Sequence, residues 1–304
     1  MTNEQRLRNL SVPEGPIDVV LDTDAYNEID DQFAIAYLLR HGEKLRTKAI
    51  YAAPFFNFHS TDPADGMRKS YDEILKLLSL LKIEKPVLRG SERYLPDEKT
   101  PVLSPAAEDL ARRALEYSPE HPLYVVAIGA ITNVASAILL EPKVAEKTVV
   151  VWLGGHARHY HDTKEFNLWQ DVAAARVVMA SGVPFVQLPC CGVVSAFTIS
   201  GAELEKWLVD KTPIADYLAR NTIKEAEAYA KGRAWTRCIW DVTAVAWLLN
   251  DKDRLMNSRI LPTLLPSYDG VYEEQPQPHS MRYVYFIKRD TLMNDLFRKL
   301  TEEV

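Results

Sequence analysis

The stretch Ile17 to Arg40, IDVVLDTDAYNEIDDQFAIAYLLR, limits the possible folds more than any other part of the chain. Ile17–Leu21 is rich in β-branched apolar residues, as a buried strand is. From Asp31, the residues Phe33, Ala34, Ala36, Tyr37 and Leu38 follow at helical spacing. Between strand and helix lie Asp22, Asp24, Glu28, Asp30 and Asp31. In open α/β sheets, the carboxyl end of a strand that feeds a helix is where ligands bind. Carboxylates crowded there repel one another unless a cation or bound protons relieve them. A helix start favours negative charge, which accounts for Asp30 and Asp31 but leaves Asp22 and Asp24 unexplained. An all-oxygen site for a hard divalent cation explains all four, and suits calcium or magnesium better than zinc.

The rest of the chain repeats the alternation. Strands are expected at Lys48–Ala53, Pro86–Arg89, Leu123–Ile128, Thr148–Leu153 and Val183–Leu188. Helices are expected at Met67–Leu81, Ser104–Tyr117, Thr132–Leu140 and Asp171–Ser181. This pattern predicts an α/β fold with a mainly parallel sheet flanked by helices, as one domain over residues 1–304. The pattern then shifts to helices at Gly201–Asp210, Pro213–Gly232 and Asp241–Leu249, a late strand at Arg282–Lys288 and a closing helix at Thr291–Leu300. Residues 1–15 read as an arm or loop, and Pro262–Pro278 as a turn-rich surface excursion.

Composition narrows the partners. Charged residues are 26% and the net charge is −6, with no basic block, so a nucleic-acid polymer is not an expected partner. The N-terminus MTNEQRLRNLSVPEG has no apolar core of signal-peptide length and no apolar run approaches a membrane span, so neither secretion nor a membrane is expected. The three cysteines, with Cys190 and Cys191 adjacent, do not make a disulfide framework, and a reducing cytoplasm is the expected home.

Three further segments carry candidate chemistry. Ile128-Gly129-Ala130-Ile131-Thr132-Asn133 lies at a strand end, where glycine lets the backbone approach a ligand. Gly154-Gly155 ends another strand, and Glu165-Phe166-Asn167 follows; paired acceptors and amide donors suit a sugar diol, and the alternative is a helix N-terminal cap by Asn167 or Asp171. Ile239-Trp240-Asp241-Val242 opens a helix, with Trp240 either packed in the core or stacked on a flat ligand. His156, His159 and His161 share one loop but lack a fourth ligand for zinc. Neither a phosphate-binding glycine loop nor a nucleophile elbow is present.

Taken in order, these segments resemble the nucleoside hydrolase family. Asp22-Thr23-Asp24, a turn, then Asp30-Asp31 is similar to the family's D-x-D-P-G-x-D-D, with Ala25-Tyr26 replacing Pro-Gly and a longer turn, Ala25–Ile29. The Gly129–Asn133 element resembles G-x-L-T-N, the Gly154–Asn167 segment resembles M-G-G…A-E-F-N, and Trp240-Asp241 stands where the family has His-Asp. The resemblance implies calcium held by Asp24, Asp31, Asp241 and the main-chain carbonyl of Ile128, with Asp24 as general base toward water. It implies ribose contacts from Asp30, Asn57, Glu165 and Asn167, and Trp240 against the base. It also implies a small-molecule ribonucleoside as partner and a homo-oligomer, dimer or tetramer. With Trp240 in place of the family's acid histidine, purines are expected to be better substrates than pyrimidines. The competing reading is a ribosyl- or nucleoside-binding protein that keeps the metal cradle with little hydrolysis. A magnesium-dependent phosphohydrolase would need basic phosphate-binding residues, and Asp22–Asp31 offers none.

Overall fold

In the computed structural model, which describes residues 1–276 and 278–302, the alternating segments close into one eight-stranded sheet. Gln277, within the expected excursion, and Glu303 and Val304, at the end of the expected domain, lie outside the described residues. The first six strands are β1 (Ile17–Thr23), β2 (Leu45–Ala52), β3 (Val87–Arg89), β4 (Leu123–Ala127), β5 (Thr148–Leu153) and β6 (Phe185–Leu188). A short ribbon pairs β7 (Thr198–Ser200) with β8 (Thr236–Cys238). Then come β9 (Met256–Pro262), a second ribbon of β10 (Leu264–Pro266) and β11 (Tyr272–Glu274), and β12 (Ser280–Ile287). The sheet order is β3-β2-β1-β4-β5-β6-β12-β9, parallel throughout except for β9, which runs antiparallel to β12 at the edge.

The central strands read as nearly continuous apolar runs because both of their faces are covered. All residues of β4 and β5 are buried. Along β1, Val19 and Leu21 enter one core and Val20 enters the other, the period-two alternation of a strand. The first core packs under the helices Asp30–Arg40, Pro63–Leu81 and Val242–Trp247. The second packs under Pro105–Ala114, Thr132–Leu140 and Val172–Ala180. Three helices start the same way: Asp62, Ser104 and Thr212 each cap the third residue on and are followed by proline.

The order of these strands places the site. The chain builds β1, β2 and β3 outward in one direction, then returns to lay β4, β5 and β6 on the other side of β1. The strand order therefore reverses between β1 and β4, and the crevice at their carboxyl ends is the switch point of a doubly wound sheet. Asp24 follows β1 there and Ile128 follows β4.

Several expectations need correction. Residues 1–15 are not only a loop: Asn3–Asn9 is helical, started by a capping box between Thr2 and Gln5. The stretch 262–278 is not a plain surface excursion, because its β11 carries Tyr272, whose hydroxyl lies 3.0 Å from Gln187 Nε2 and 3.3 Å from the His156 carbonyl. Strand β9 escaped sequence reading because an exposed antiparallel edge mixes polar and apolar residues without a clear period. Among the described residues, no helix is long and apolar enough to cross a membrane.

Candidate active site

Four carboxylates meet at the switch point, and all are buried: Asp24, Asp30, Asp31 and Asp241. Oxygens of Asp30, Asp31 and Asp241 lie within 4.8 Å of one another, the one such grouping of three or more potential ligands among the described residues. Asp31 accepts a hydrogen bond from the Thr23 hydroxyl. Asp24 stands beside this group, fully buried, and neither of its carboxylate oxygens has a hydrogen-bond partner. Asp22, two residues back, accepts from Asn133 Nδ2 at 2.8 Å. Its other oxygen is also unpartnered.

Burial pushes the Asp24 carboxyl well above the usual range, and the charges of Asp31 and Asp30 push it further. Asp241 is raised by burial first and then by Asp30, Asp31 and Asp24. Asp31 is raised to about 7 by burial, with the Thr23 hydroxyl opposing the shift. Buried, unpaired carboxylates of this kind are costly in a protein interior unless something positive completes them. Two helix starts face the group, at Asp30 and at Val242, and neither has a side-chain cap, so their positive ends offset part of the repulsion. Only oxygen donors converge here, and the donor set therefore fits a hard cation. No histidine belongs to any group of three or more potential ligands among the described residues.

A cleft of about 330 Å³ opens above the carboxylates, a volume suited to a small molecule. Its walls include Asp30, Asn57, Ile128, Glu165, Asn167, Trp240 and Asp241. Of the sequence-predicted residues, Asp24 and Asp31 lie buried beside Asp30 and Asp241 without lining the cleft, and several of those that line it are already engaged. Glu165 is the N-cap of the Phe166–Gln170 helix: Oε1 accepts from the Asn167 amide at 2.9 Å, and Oε2 from Gly155 at 2.8 Å and Leu168 at 2.9 Å. The Asn167 side-chain amide donates to the carbonyls of Ile128 (3.2 Å) and Leu153 (3.1 Å), tying the ends of β4 and β5 together. Asn57 donates to Asn27 Oδ1 at 2.6 Å.

Asn27, Cys190, Cys191 and His156 also line the cleft, and sequence reasoning missed them as wall residues. Asn27 had a signal, since it sits in the lengthened turn Ala25–Ile29. That turn folds inward: Ala25 and Ile29 are fully buried, and the Asn27 amide bonds the Asp24 carbonyl at 2.7 Å. The histidine loop divides: His156 is buried at the cleft wall, while His159 and His161 are exposed and outside it.

Gly129 is the glycine the site depends on. A Cβ added there would lie 2.9 Å from Asp24 Oδ1 and 3.0 Å from its Cγ. Gly129→Ala is therefore expected to displace the Asp24 carboxylate. Its expected result is a loss of at least tenfold in turnover with the folded circular-dichroism spectrum retained, since about 1 Å of misplacement can cost a hundredfold. Wild-type turnover in this variant would show that Asp24 has room to move.

A doubly wound sheet with a buried carboxylate cluster that could hold a cation and a small-molecule cleft at its switch point defines a class of enzyme scaffold. The comparisons with known proteins narrow it. The family model for inosine-uridine preferring nucleoside hydrolases matches residues 19–270. A pyrimidine-specific ribonucleoside hydrolase RihA from Klebsiella pneumoniae (strain 342) is 29% identical over 248 residues, covering 72% of this chain and 76% of that protein. The structure of an inosine-guanosine nucleoside hydrolase superposes with a TM-score of 0.75 at 18% identity, covering 94% of this chain and 99% of the other. A purine-preferring ribonucleoside hydrolase from Gardnerella vaginalis gives 0.73 at 19% identity, covering 93% and 98%. The chain belongs to the nucleoside hydrolase family and is an N-glycosyl hydrolase.

Proposed function

We propose that the protein hydrolyses the N-glycosidic bond of ribonucleosides with calcium as its metal, and prefers purines. The observation that carries this reading is the pair of unpartnered Asp24 oxygens, buried beside Asp30, Asp31 and Asp241, two of which, Asp30 and Asp241, line the cleft. Asp24, Asp31, Asp241 and the Ile128 carbonyl would hold the ion. When bound, calcium supplies positive charge that acidifies a water and fixes ribose hydroxyls.

The chain's own residues do the rest. Asp24 accepts a proton from the attacking water, the role its free oxygens leave open. Positive charge develops on the ribose ring as the bond to the base breaks, as in other glycoside hydrolyses. Asp30 and Glu165 line that space and stabilise the charge. Asn167, by holding the Ile128 and Leu153 carbonyls, keeps the strand ends in register, and Asn57, braced by Asn27, faces the sugar. Trp240 offers a flat apolar surface to the base and favours a protonated purine over a neutral one.

The names of the relatives point both ways on base preference, so the purine reading rests on Trp240. The test is release of ribose from inosine, guanosine, adenosine, cytidine and uridine. Inosine and guanosine should turn over faster than uridine. Trp240→Ala should lower kcat/KM for the purines by roughly five- to a hundredfold, the range of base-stacking energies. Equal turnover of uridine would overturn the preference.

One observation favours the binding-protein reading. Both Glu165 oxygens are occupied by backbone amides, which leaves less of that carboxylate for a sugar. Ligand-dependent thermal stabilisation by nucleosides with no release of ribose from any of the five would select it.

A further inference from the structure

The cleft does not end at Trp240. A second chamber of about 680 Å³ shares Glu28, Phe58 and Trp240 with it and extends outward past His59, Tyr229 and Arg237. A base lying against Trp240 would present its edge to this chamber. Two charged groups meet there: Arg237 Nη2 lies 3.4 Å from Glu28 Oε2. The Arg237 side chain is only 14% exposed, and its guanidinium sits 5.9 Å above the Tyr229 ring. Glu28 is 46% exposed, so its carboxylate has acceptor capacity left for a ligand.

From this juxtaposition we infer that Glu28 and Arg237 read the lactam edge of an oxo-base, accepting from its ring N–H and donating to its adjacent carbonyl. The inference deepens the nucleoside reading and rests on it for the orientation of the base.

The chemistry follows from donor and acceptor order. Hypoxanthine and guanine present N1–H beside a C6 carbonyl, and uracil presents N3–H beside a C4 carbonyl. A carboxylate next to a guanidinium matches that order, acceptor to donor and donor to acceptor. Adenine and cytosine present the reverse: a ring nitrogen acceptor, which faces the carboxylate, and an amino donor, which faces the guanidinium. The same pair therefore attracts one set of bases and repels the other, which is how a site gains specificity beyond affinity. Guanine adds a second donor, its 2-amino group, to the edge that Glu28 accepts from.

The chamber also argues against an anionic ligand. Glu28 and Glu225 both line it, and Asp30 and Asp241 lie in the cleft behind. Arg237 already faces Glu28, while Lys69 is tied to the His59 carbonyl and to Asp65, each at 2.8 Å. His59, also on the wall, is held below its ordinary pKa by burial, with Lys69 and Arg237 adding to the shift and Glu28 opposing it. A neutral, polar base edge suits this surface better than a phosphate.

The experiment is equilibrium binding of free hypoxanthine and free adenine by calorimetry, in wild type, Arg237→Met and Arg237→Lys, each checked for folding by circular dichroism. Wild type should bind hypoxanthine at least tenfold more tightly than adenine, with Arg237→Met losing that ratio and Arg237→Lys regaining part of it. Such sites reject a mismatched donor pattern by large factors because their polar groups are left unpaired. Equal binding of the two bases by wild type, binding of neither, or an unchanged ratio in Arg237→Met would overturn the inference. Ribose release from inosine, run alongside, separates the two questions. A hypoxanthine preference without release keeps the lactam reader and removes the hydrolase reading; release without the preference does the opposite.

Discussion

Asp24→Asn should abolish ribose release while leaving the fold intact. The substitution keeps the shape of the side chain, removes its charge and basicity, and replaces one acceptor oxygen by an amide NH2. Neither Asp24 oxygen has a hydrogen-bond partner, so no structural bond is lost. The variant also relieves repulsion, since Asp31 and Asp30 both raise the Asp24 carboxyl. Its melting temperature in the absence of metal should equal or exceed that of wild type. Loss of a positioned general base costs about 10²–10⁴ in rate, and loss of a metal ligand would add to that. Release of ribose from inosine, followed by a reducing-sugar assay under saturating calcium, provides the measurement. If the variant kept more than about a tenth of wild-type turnover, the base would have to be sought elsewhere, since even the lower end of that range is a hundredfold.

The second large effect concerns metal and stability together. Calcium should raise the melting temperature of the wild-type protein, and Asp241→Asn should remove that rise. An ion present at a hundred times its dissociation constant stabilises a folded site by about 2.7 kcal/mol. At about 2–4 °C per kcal/mol, that corresponds to roughly 5–10 °C. The argument predicts opposite signs with and without metal. Asp241 is buried among Asp30, Asp31 and Asp24, each of which raises its carboxyl. Neutralising it should therefore stabilise the metal-free protein, as substitutions at strained functional groups commonly do. A residue kept only for packing would instead destabilise the metal-free form. Differential scanning fluorimetry with EDTA, calcium, magnesium and zinc reads all of this without turnover. A calcium shift that survives in Asp241→Asn would remove Asp241 from the ligand set. A larger shift with zinc than with calcium would overturn the hard-cation assignment.

The two effects have a common origin in the fold. The sheet's strand order reverses between β1 and β4, so a crevice exists there whatever the side chains are. The side chains then decide what fills it. Thr23 and Asn133 hold Asp31 and Asp22, while Asp24 is left without a partner. Of these carboxylates, Asp24 is the one with both oxygens unpartnered, and it is the one proposed to take the proton.

Much of this could be read before folding. The β-branched runs of β1, β4 and β5 announce strands buried on both faces. Ser104-Pro105 and Thr212-Pro213 announce helix starts, because a short polar side chain followed by proline satisfies a helix N-terminus locally, whereas the helix expected from Met67 starts four residues earlier, at Pro63, behind the same kind of cap at Asp62. Asp22 to Asp31 announces a ligand site because so many carboxylates at one strand end cannot all serve as caps. These are short-range properties, set within a few residues of chain.

Other features could not be read that way. Glu165 and Asn167 look like free sugar-binding groups in the sequence. The fold spends both Glu165 oxygens on backbone amides and the Asn167 amide on two strand-end carbonyls. Cys190 and Cys191 serve in the sequence only to exclude a disulfide framework, yet they line the cleft because β6 lies beside β5. Glu28 and Arg237 have no local relation at all. They meet because the antiparallel ribbon of β7 and β8 carries Arg237 back to the turn after β1. Composition and periodicity determined which segments become strands and helices and where acidic groups gather, since those depend on neighbours in sequence. Only the crossovers of the sheet decided which carboxylates converge, which polar groups stay unpaired and which charges face the base, because each requires segments far apart in the chain to pack within a few ångströms.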